Sequence, residues 1–281
     1  MTPPTSGALI AIGGAEDRTA ESEVLKRVLD FVPDGPFEVG VLTTASRFPD
    51  DAFAAYDRAF TALGAGRVHH LDVPDRNAAH DSERAAPLEG CSLIFIAGGD
   101  QLRLTNVLGG SPFLTTMRDR HAEGAVVAGT SAGAAALTAT MIYDGAAANA
   151  LRKGAVKMAA GLAFARGIVI DSHFLERGRF TRLMEVGTTN PEYVGVGIGE
   201  DAAVVIHPGP VLEAVGPGLV IVVDSSQLRH TNVVDLEVGE PVAVEHVILH
   251  ALTSGYGYDV KRRAFIDART EWPASTQAAP S

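Results

Sequence analysis

The chain has 281 residues, of which 46% are hydrophobic, and it carries a formal net charge of −11. This length allows a substantial core in one large or two small domains. The acidic balance argues against a general nucleic-acid or anionic-membrane binder, and no apolar run approaches the roughly 18 residues of a membrane span. The single cysteine, Cys91, excludes an internal disulfide and a cysteine-based metal cluster, and we expect it to be inert.

The first half of the chain alternates between short apolar runs and helix-like segments. Apolar runs typical of buried strands occupy residues 8–12, 37–43, 68–73, 92–97 and 125–128. Helical patterns occupy residues 51–63, 101–108 and 112–123, and the polar stretch 75–87 is predicted to be a surface loop. Such regular alternation predicts a doubly wound α/β sheet whose ligands bind at the C-terminal ends of the strands.

A Gly-x-Ser-x-Gly motif, Gly129-Thr130-Ser131-Ala132-Gly133, joins one of these apolar runs to an alanine-rich segment. Strand, tight turn and helix are the context of a nucleophile elbow, in which the glycines leave room for a strained turn around Ser131. The helix would direct its N-terminal amides at the place where an oxyanion forms. The alternative is an ordinary turn in which Ser131 only caps the helix.

A serine nucleophile needs a base, which is usually a histidine. His173 is the best placed of the nine histidines, because it lies just past an apolar run at residues 167–171. Glu200 falls in a tight turn between two predicted strands, whereas Asp171 would share the face of His173 in an extended segment. The spacing leaves the carboxylate that orients the base open among four candidates: Asp144, Asp171, Glu200 and Asp201.

Backbone amides and arginines complete the candidate site. The oxyanion hole would use the amide of Ala132 and a second amide from Gly99, since glycine lets backbone approach a substrate closely; an ordinary strand-ending turn is the alternative. On a regular helix Arg179 and Arg182 would be neighbours, with Arg177 on the other side. These guanidinium groups would either clamp a substrate carboxylate or form a solvated helix face.

The second half of the chain is less regular. Residues 142–165 are rich in glycine and alanine and are predicted to form loops near the site, and the residues after 220 are predicted to form β-hairpins. Since no linker or repeat interrupts the chain, residues 7–268 are predicted to be a single α/β domain with flexible tails at 1–6 and 269–281. The first residues lack the features of a signal peptide, so we expect a cytoplasmic protein.

Three segments together resemble the cyanophycinase family: Gly98-Gly99-Asp100-Gln101, Gly129-Thr130-Ser131-Ala132-Gly133-Ala134, and the histidine- and arginine-containing segment from Asp171 to Leu183. The resemblance extends from about residue 9 to about residue 223. It implies a class I glutamine-amidotransferase-like fold, a three-layer α/β/α sandwich with a mostly parallel sheet. It also implies that Ser131 is the nucleophile, His173 the base and Glu200 the orienting acid.

The resemblance further implies a substrate pocket lined by Gln101, Asp171, Ser172, Arg177, Arg179 and Arg182. Ser172 departs from the family, which usually has glutamine there, and the shorter side chain enlarges the pocket.

The activity that the resemblance implies is that of a serine exopeptidase related to aspartyl dipeptidase. Such an enzyme hydrolyses cyanophycin (multi-L-arginyl-poly-L-aspartate) to β-Asp-Arg dipeptides through an acyl-enzyme, without metal or cofactor and usually as a homodimer. Two alternatives remain open. One is an aspartyl or isoaspartyl dipeptidase for short β-aspartyl peptides, and the other is a catalytically silent amidotransferase-like binding domain.

Overall fold

The computed structural model describes residues 6–146, 148, 151–209 and 211–267. Apart from Ser6, the predicted tails lie outside the described residues. The helices are α1 (Glu23–Leu29), α2 (Pro49–Ala62), α3 (Arg76–Ala79), α4 (Ser82–Ala85), α5 (Gln101–Leu108), α6 (Pro112–Ala122), α7 (Ala132–Ala136) and α8 (Phe180–Thr189). Within the described part of the chain, no helix is long and apolar enough to cross a membrane.

The strands, in chain order, are β1 (Leu9–Ile12), β2 (Glu38–Leu42), β3 (Arg67–Leu71), β4 (Leu93–Ile96), β5 (Val126–Thr130), β6 (Thr140–Asp144), β7 (Lys157–Ala160), β8 (Ile168–Ser172), β9 (Val194–Ile198), β10 (Ala203–His207), β11 (Val211–Val215), β12 (Val220–Asp224), β13 (His230–Thr231), β14 (Val244–Glu245), β15 (Ile248–Leu252), β16 (Tyr256–Asp259) and β17 (Ala264–Asp267).

The main sheet has nine strands in the order β17-β16-β11-β10-β1-β5-β4-β2-β3. Strands β1, β5, β4, β2 and β3 are parallel to one another. Strand β10 pairs antiparallel with β1, and the pairings among β10, β11, β16 and β17 are also antiparallel. The central strands β1 and β4 are fully buried, which explains their uninterrupted apolar sequences. The predicted α/β fold is therefore confirmed, with its parallel strands in the N-terminal half of the chain.

A second sheet has four strands in the order β15-β12-β9-β8. Strands β8 and β9 are parallel, whereas β12 pairs antiparallel with β9 and β15. The buried side chains of one face join a core with α5, α6, α7 and the main sheet, and those of the other face pack against α8. A separate core lies between the main sheet and helices α1 and α2. This layering brings the C-terminal end of β5 close to the ends of β8 and β9.

Two stretches predicted to be loops contain regular structure. Residues 75–90 form α3, α4 and a 3-10 helix at Ala86–Gly90, because Asp75 and Asp81 cap the two short helices by accepting hydrogen bonds from the amides of Ala78 and Glu83. In the glycine- and alanine-rich stretch, β6 and β7 form an antiparallel pair. The high glycine and alanine content of this stretch led to the loop prediction, although β6 contains the strand-forming run Met141-Ile142-Tyr143.

Candidate active site

Ser131 lies between β5 and α7 with a positive φ, at φ 52° and ψ −110°. Positive φ is uncommon for a residue other than glycine and persists only where the surroundings enforce it. The turn leaves no room for a side chain two residues later, because a Cβ on Gly133 would lie 2.3 Å from the carbonyl oxygen of Ile96. The backbone therefore has the strand–turn–helix geometry predicted for a nucleophile elbow.

A line of hydrogen bonds runs from this serine through His173 to Glu200. Ser131 Oγ lies 2.9 Å from His173 Nε2, and His173 Nδ1 lies 2.7 Å from Glu200 Oε1. Because an ionised carboxylate only accepts, Nδ1 donates to Glu200, which leaves Nε2 free to accept the serine proton. This is the relation of nucleophile, base and orienting acid seen in serine hydrolases.

The backbone around His173 explains why this side chain reaches the serine. Strand β8 ends at Ser172, and His173 adopts φ 47°, so the alternation of faces along the strand is broken at the histidine. The His173 amide donates to the carbonyl of Gly13 at 2.8 Å. Gly14 lies directly against the imidazole, because a Cβ there would be 2.4 Å from His173 Cε1.

Glu200 is held in the turn between β9 and β10. Its amide donates to Glu176 Oε1 at 3.1 Å, and the amide of the next residue, Asp201, donates to the carbonyl of Gly14 at 3.0 Å. The Glu200 side chain remains 39% exposed. Of the four acids that the sequence left open, Glu200 makes the hydrogen bond to the imidazole.

Of the two predicted oxyanion-hole residues, Ala132 directly follows Ser131, and Gly99 follows Gly98, which faces the serine. Ala132 begins α7 and is buried. Gly98 faces the nucleophile closely, since a Cβ there would lie 3.3 Å from Ser131 Cβ. Gly99 has φ 145°, and a Cβ on it would overlap the carbonyl of Ala45. The Gly98-Gly99 turn therefore brings bare backbone to the serine, as expected of a segment that supplies an amide to an oxyanion.

Asp171 lies in a buried ion-pair cluster with two of the three arginines. Its Oδ1 accepts a hydrogen bond from Arg179 at 3.0 Å, and its Oδ2 lies 3.1 Å from Arg182 Nε. The Asp171 and Arg182 side chains are 4% and 7% exposed. Burial raises the pKa of Asp171, and the guanidinium groups of Arg182, Arg179 and Arg177 oppose that rise. Burial likewise lowers the pKa of Arg179, against the effect of Asp171.

The other predicted pocket residues have different surroundings. The carboxamide of Gln101 donates to the carbonyls of Ile142 at 3.1 Å and Tyr143 at 3.4 Å, and thus ties α5 to β6. Ser172 is buried, and its carbonyl accepts from Arg179 at 2.8 Å. Arg177 is exposed just before α8.

One carboxylate beside the elbow escaped the sequence analysis. Glu16 is 4% exposed and accepts hydrogen bonds from Thr130 Oγ1 at 2.7 Å and from the Tyr56 hydroxyl at 2.5 Å. An acidic residue two positions after a pair of glycines, at the end of a buried strand, was the sequence signal that could have indicated Glu16.

Comparisons with known proteins identify the family of this chain. The model of peptidase family S51 matches residues 9–213. A cyanophycinase from Trichormus variabilis is 35% identical over 265 residues, covering 94% of this chain and 89% of that protein. A cyanophycinase from Synechococcus elongatus is 35% identical over 256 residues, covering 91% of this chain and 80% of that protein.

A solved structure shares the fold at lower sequence identity. It is a peptidase from an acI-B1 Actinobacterium, with a TM-score of 0.64 and 19% identity, covering 92% of this chain and 98% of that one. The fold and the matches together define a serine-type peptidase. The chain belongs to peptidase family S51, and the resemblance to cyanophycinases found in its sequence is confirmed.

Proposed function

We propose that this protein is a serine exopeptidase that hydrolyses cyanophycin to β-Asp-Arg dipeptides, with Ser131 as nucleophile, His173 as base and Glu200 as orienting acid. The observation that carries the proposal is the continuous line of hydrogen bonds from Ser131 Oγ to Glu200 Oε1. We choose cyanophycin as the substrate because this chain resembles cyanophycinases over most of its length.

The geometry supports an ordinary acyl-transfer sequence. His173 Nε2 takes the Ser131 hydroxyl proton as Oγ bonds to the carbonyl carbon of the amide that joins two aspartyl units. The amides of Gly99 and Ala132 stabilise the oxyanion. The imidazolium then gives its proton to the leaving amine as the C–N bond breaks. Water, deprotonated by His173, hydrolyses the acyl-enzyme, and the proton returns from His173 to Ser131 Oγ.

The positive charge of the segment that follows His173 supports an anionic substrate group. Three guanidinium groups, on Arg177, Arg179 and Arg182, surround the single carboxylate of Asp171 closely enough to act on its pKa. This excess of positive charge suits a free carboxylate of the substrate. Because Arg182 is deeply buried against Asp171, we expect it to hold the cluster, with Arg177 and Arg179 nearer to the substrate.

The decisive experiment compares wild type with Ser131→Ala on purified cyanophycin, with β-Asp-Arg release as the readout. Triad losses cost on the order of 10⁴-fold or more in rate, so the variant should be inactive while its circular dichroism is unchanged. Retention of more than about a tenth of the activity, under ~1.4 kcal/mol of barrier, would refute the nucleophile. Wild type that cleaves neither cyanophycin nor short β-aspartyl peptides would instead indicate a silent binding domain.

Assembly and location are further proposals. We infer a homodimer from the resemblance to cyanophycinases, and sedimentation velocity of the purified chain tests it. We infer a cytoplasmic enzyme because a chain with the single cysteine Cys91 forms no internal disulfide, as is usual for proteins of reducing compartments. Fractionation of cells producing the full chain tests the location.

A further inference from the structure

The turn formed by residues 13–17 contacts every segment that carries a member of the Ser131–His173–Glu200 line. The carbonyl of Gly13 accepts from the His173 amide at 2.8 Å, and that of Gly14 accepts from the Asp201 amide at 3.0 Å. The Asp17 amide donates to Asp201 Oδ1 at 3.1 Å. These contacts fix the base and the acid, while the backbone of the nucleophile is paired with Ile12, the residue before the turn, whose carbonyl accepts from the Ser131 amide at 2.9 Å.

Glu16 adds a side-chain connection between the turn itself and the nucleophile elbow. Its Oε2 accepts from the hydroxyl of Thr130, the last residue of β5 and the neighbour of Ser131, at 2.7 Å. Its Oε1 accepts from the Tyr56 hydroxyl on α2 at 2.5 Å. Burial, reinforced by the Glu16 carboxylate, raises the pKa of Tyr56, so this phenol keeps its proton and donates. Both carboxylate oxygens therefore have a donor, as a buried carboxylate requires.

Two strained backbones lie on either side of this carboxylate. Ala15, directly before Glu16, has φ 50°, and Ser131, directly after Thr130, has φ 52°. A positive φ at residues other than glycine persists only when neighbouring contacts enforce it. The hydrogen bond from Thr130 to Glu16 joins these two turns through side chains that are each under 5% exposed.

We propose that Glu16 is a positioning residue for the reaction: it locks the nucleophile elbow to the turn that supports His173 and Glu200, and so sets the distance from Ser131 to the imidazole. The proposal rests on the proposed role of Ser131 as nucleophile. Glu16 does not touch the substrate in this proposal. It acts through Thr130 on one side and through the backbone of residues 13–17 on the other.

The chain offers a matched set of variants. Thr130→Val removes the hydroxyl that links Glu16 to the elbow, and Thr130→Ser keeps it. Glu16→Gln keeps the shape of the side chain but replaces one acceptor oxygen with a donor. Tyr56→Phe is the control, because it removes the other hydrogen bond to the same carboxylate on the side away from Ser131.

The first readout is the rate at which an alkyl fluorophosphonate modifies Ser131, which depends on the nucleophile and not on the identity of the substrate. The others are kcat and KM on cyanophycin and the melting temperature. Since misplacing reacting groups by an ångström costs up to about 10²-fold, Thr130→Val and Glu16→Gln should slow modification and lower kcat about tenfold or more, with KM within about twofold. Thr130→Ser should retain the wild-type rate.

Tyr56→Phe should lower the melting temperature without a comparable loss of kcat. Rates within about twofold of wild type for both Thr130→Val and Glu16→Gln would overturn the proposal. An equal loss of rate in Tyr56→Phe and Thr130→Val would also overturn it, because Glu16 would then act through general stability. If Glu16→Gln does not fold, the comparison of Thr130→Val with Thr130→Ser tests the proposal instead. A wild-type serine that never reacts would refute the proposed function itself.

Discussion

Asp171 and Glu200 were equally good candidates from the sequence to be the carboxylate that orients His173, and the structure gives them opposite surroundings. The Asp171 side chain is 4% exposed and faces two guanidinium groups. The Glu200 side chain is 39% exposed and faces the imidazole. A buried ion-pair cluster affects stability and substrate binding, whereas a hydrogen bond to the base affects the transition state. The acid that orients His173 is therefore determined less by its distance from the histidine along the chain than by the direction in which the backbone turns after residue 172.

The sharpest test of this comparison is Glu200→Gln. A neutral amide keeps the shape but weakens the support of the imidazolium that forms during the reaction. We expect kcat to fall on the order of 10³- to 10⁴-fold, or about 4–5 kcal/mol of barrier. KM should change little. Steady-state kinetics on the wild-type substrate measure both, and a kcat within about tenfold of wild type would remove Glu200 from the orienting role.

Asp171→Asn should act on stability first. The change leaves Arg179 and Arg182 without their buried counter-charge, and breaking such a pair costs about 3 kcal/mol or more. Urea unfolding should show a lower midpoint with an unchanged slope, and KM should rise as the cluster loosens. Glu200→Gln serves as the control, since its half-exposed carboxylate should contribute far less to the free energy of unfolding. Equal urea midpoints for the two variants would show that Asp171 contributes no more to the free energy of unfolding than Glu200 does.

Arg179→Ala should weaken substrate binding. Its guanidinium binds Asp171 Oδ1 and the Ser172 carbonyl next to His173. A lost charge-assisted contact to a substrate carboxylate corresponds to ~1.5–3 kcal/mol, so KM should rise about tenfold or more. Arg177→Ala is the matched control, because that side chain is exposed and should show a smaller rise. If KM is unchanged in both variants, the group is a solvated helix face.

The smallest expected effect belongs to Ser172→Gln. Ser172 follows Asp171 in β8, so its side chain points to the opposite face of the strand. A glutamine amide there would add or remove about 1 kcal/mol of contact with the substrate. The preference between cyanophycin and short β-aspartyl peptides should therefore change several-fold, with kcat on the better substrate nearly unchanged. A ratio of kcat/KM within about twofold of wild type would show that residue 172 does not govern specificity.

Short sequence patterns were enough to predict those residues of the candidate site whose position depends on their neighbours in the chain. Apolar strands ending in glycine turns located Ser131 and Gly99, and the family motif indicated His173 and Glu200. The break in alternation at His173 could not be predicted, because it depends on the hydrogen bond from its amide to Gly13, a residue 160 positions earlier in the chain. The burial of Asp171 depends likewise on how α8 packs against the second sheet. Glu16 was missed because its partners, Thr130 and Tyr56, are distant in sequence.

The site lies at the seam between two sheets. Ser131 follows β5 of the nine-stranded sheet, whereas His173 follows β8 and Glu200 follows β9 of the four-stranded sheet. Turnover therefore depends on how the two sheets pack against each other, because the nucleophile belongs to one sheet and the base and its acid belong to the other. Because parts of a protein can open below the threshold of global unfolding, partial loosening of the smaller sheet would silence the enzyme while most backbone amides still resisted hydrogen exchange.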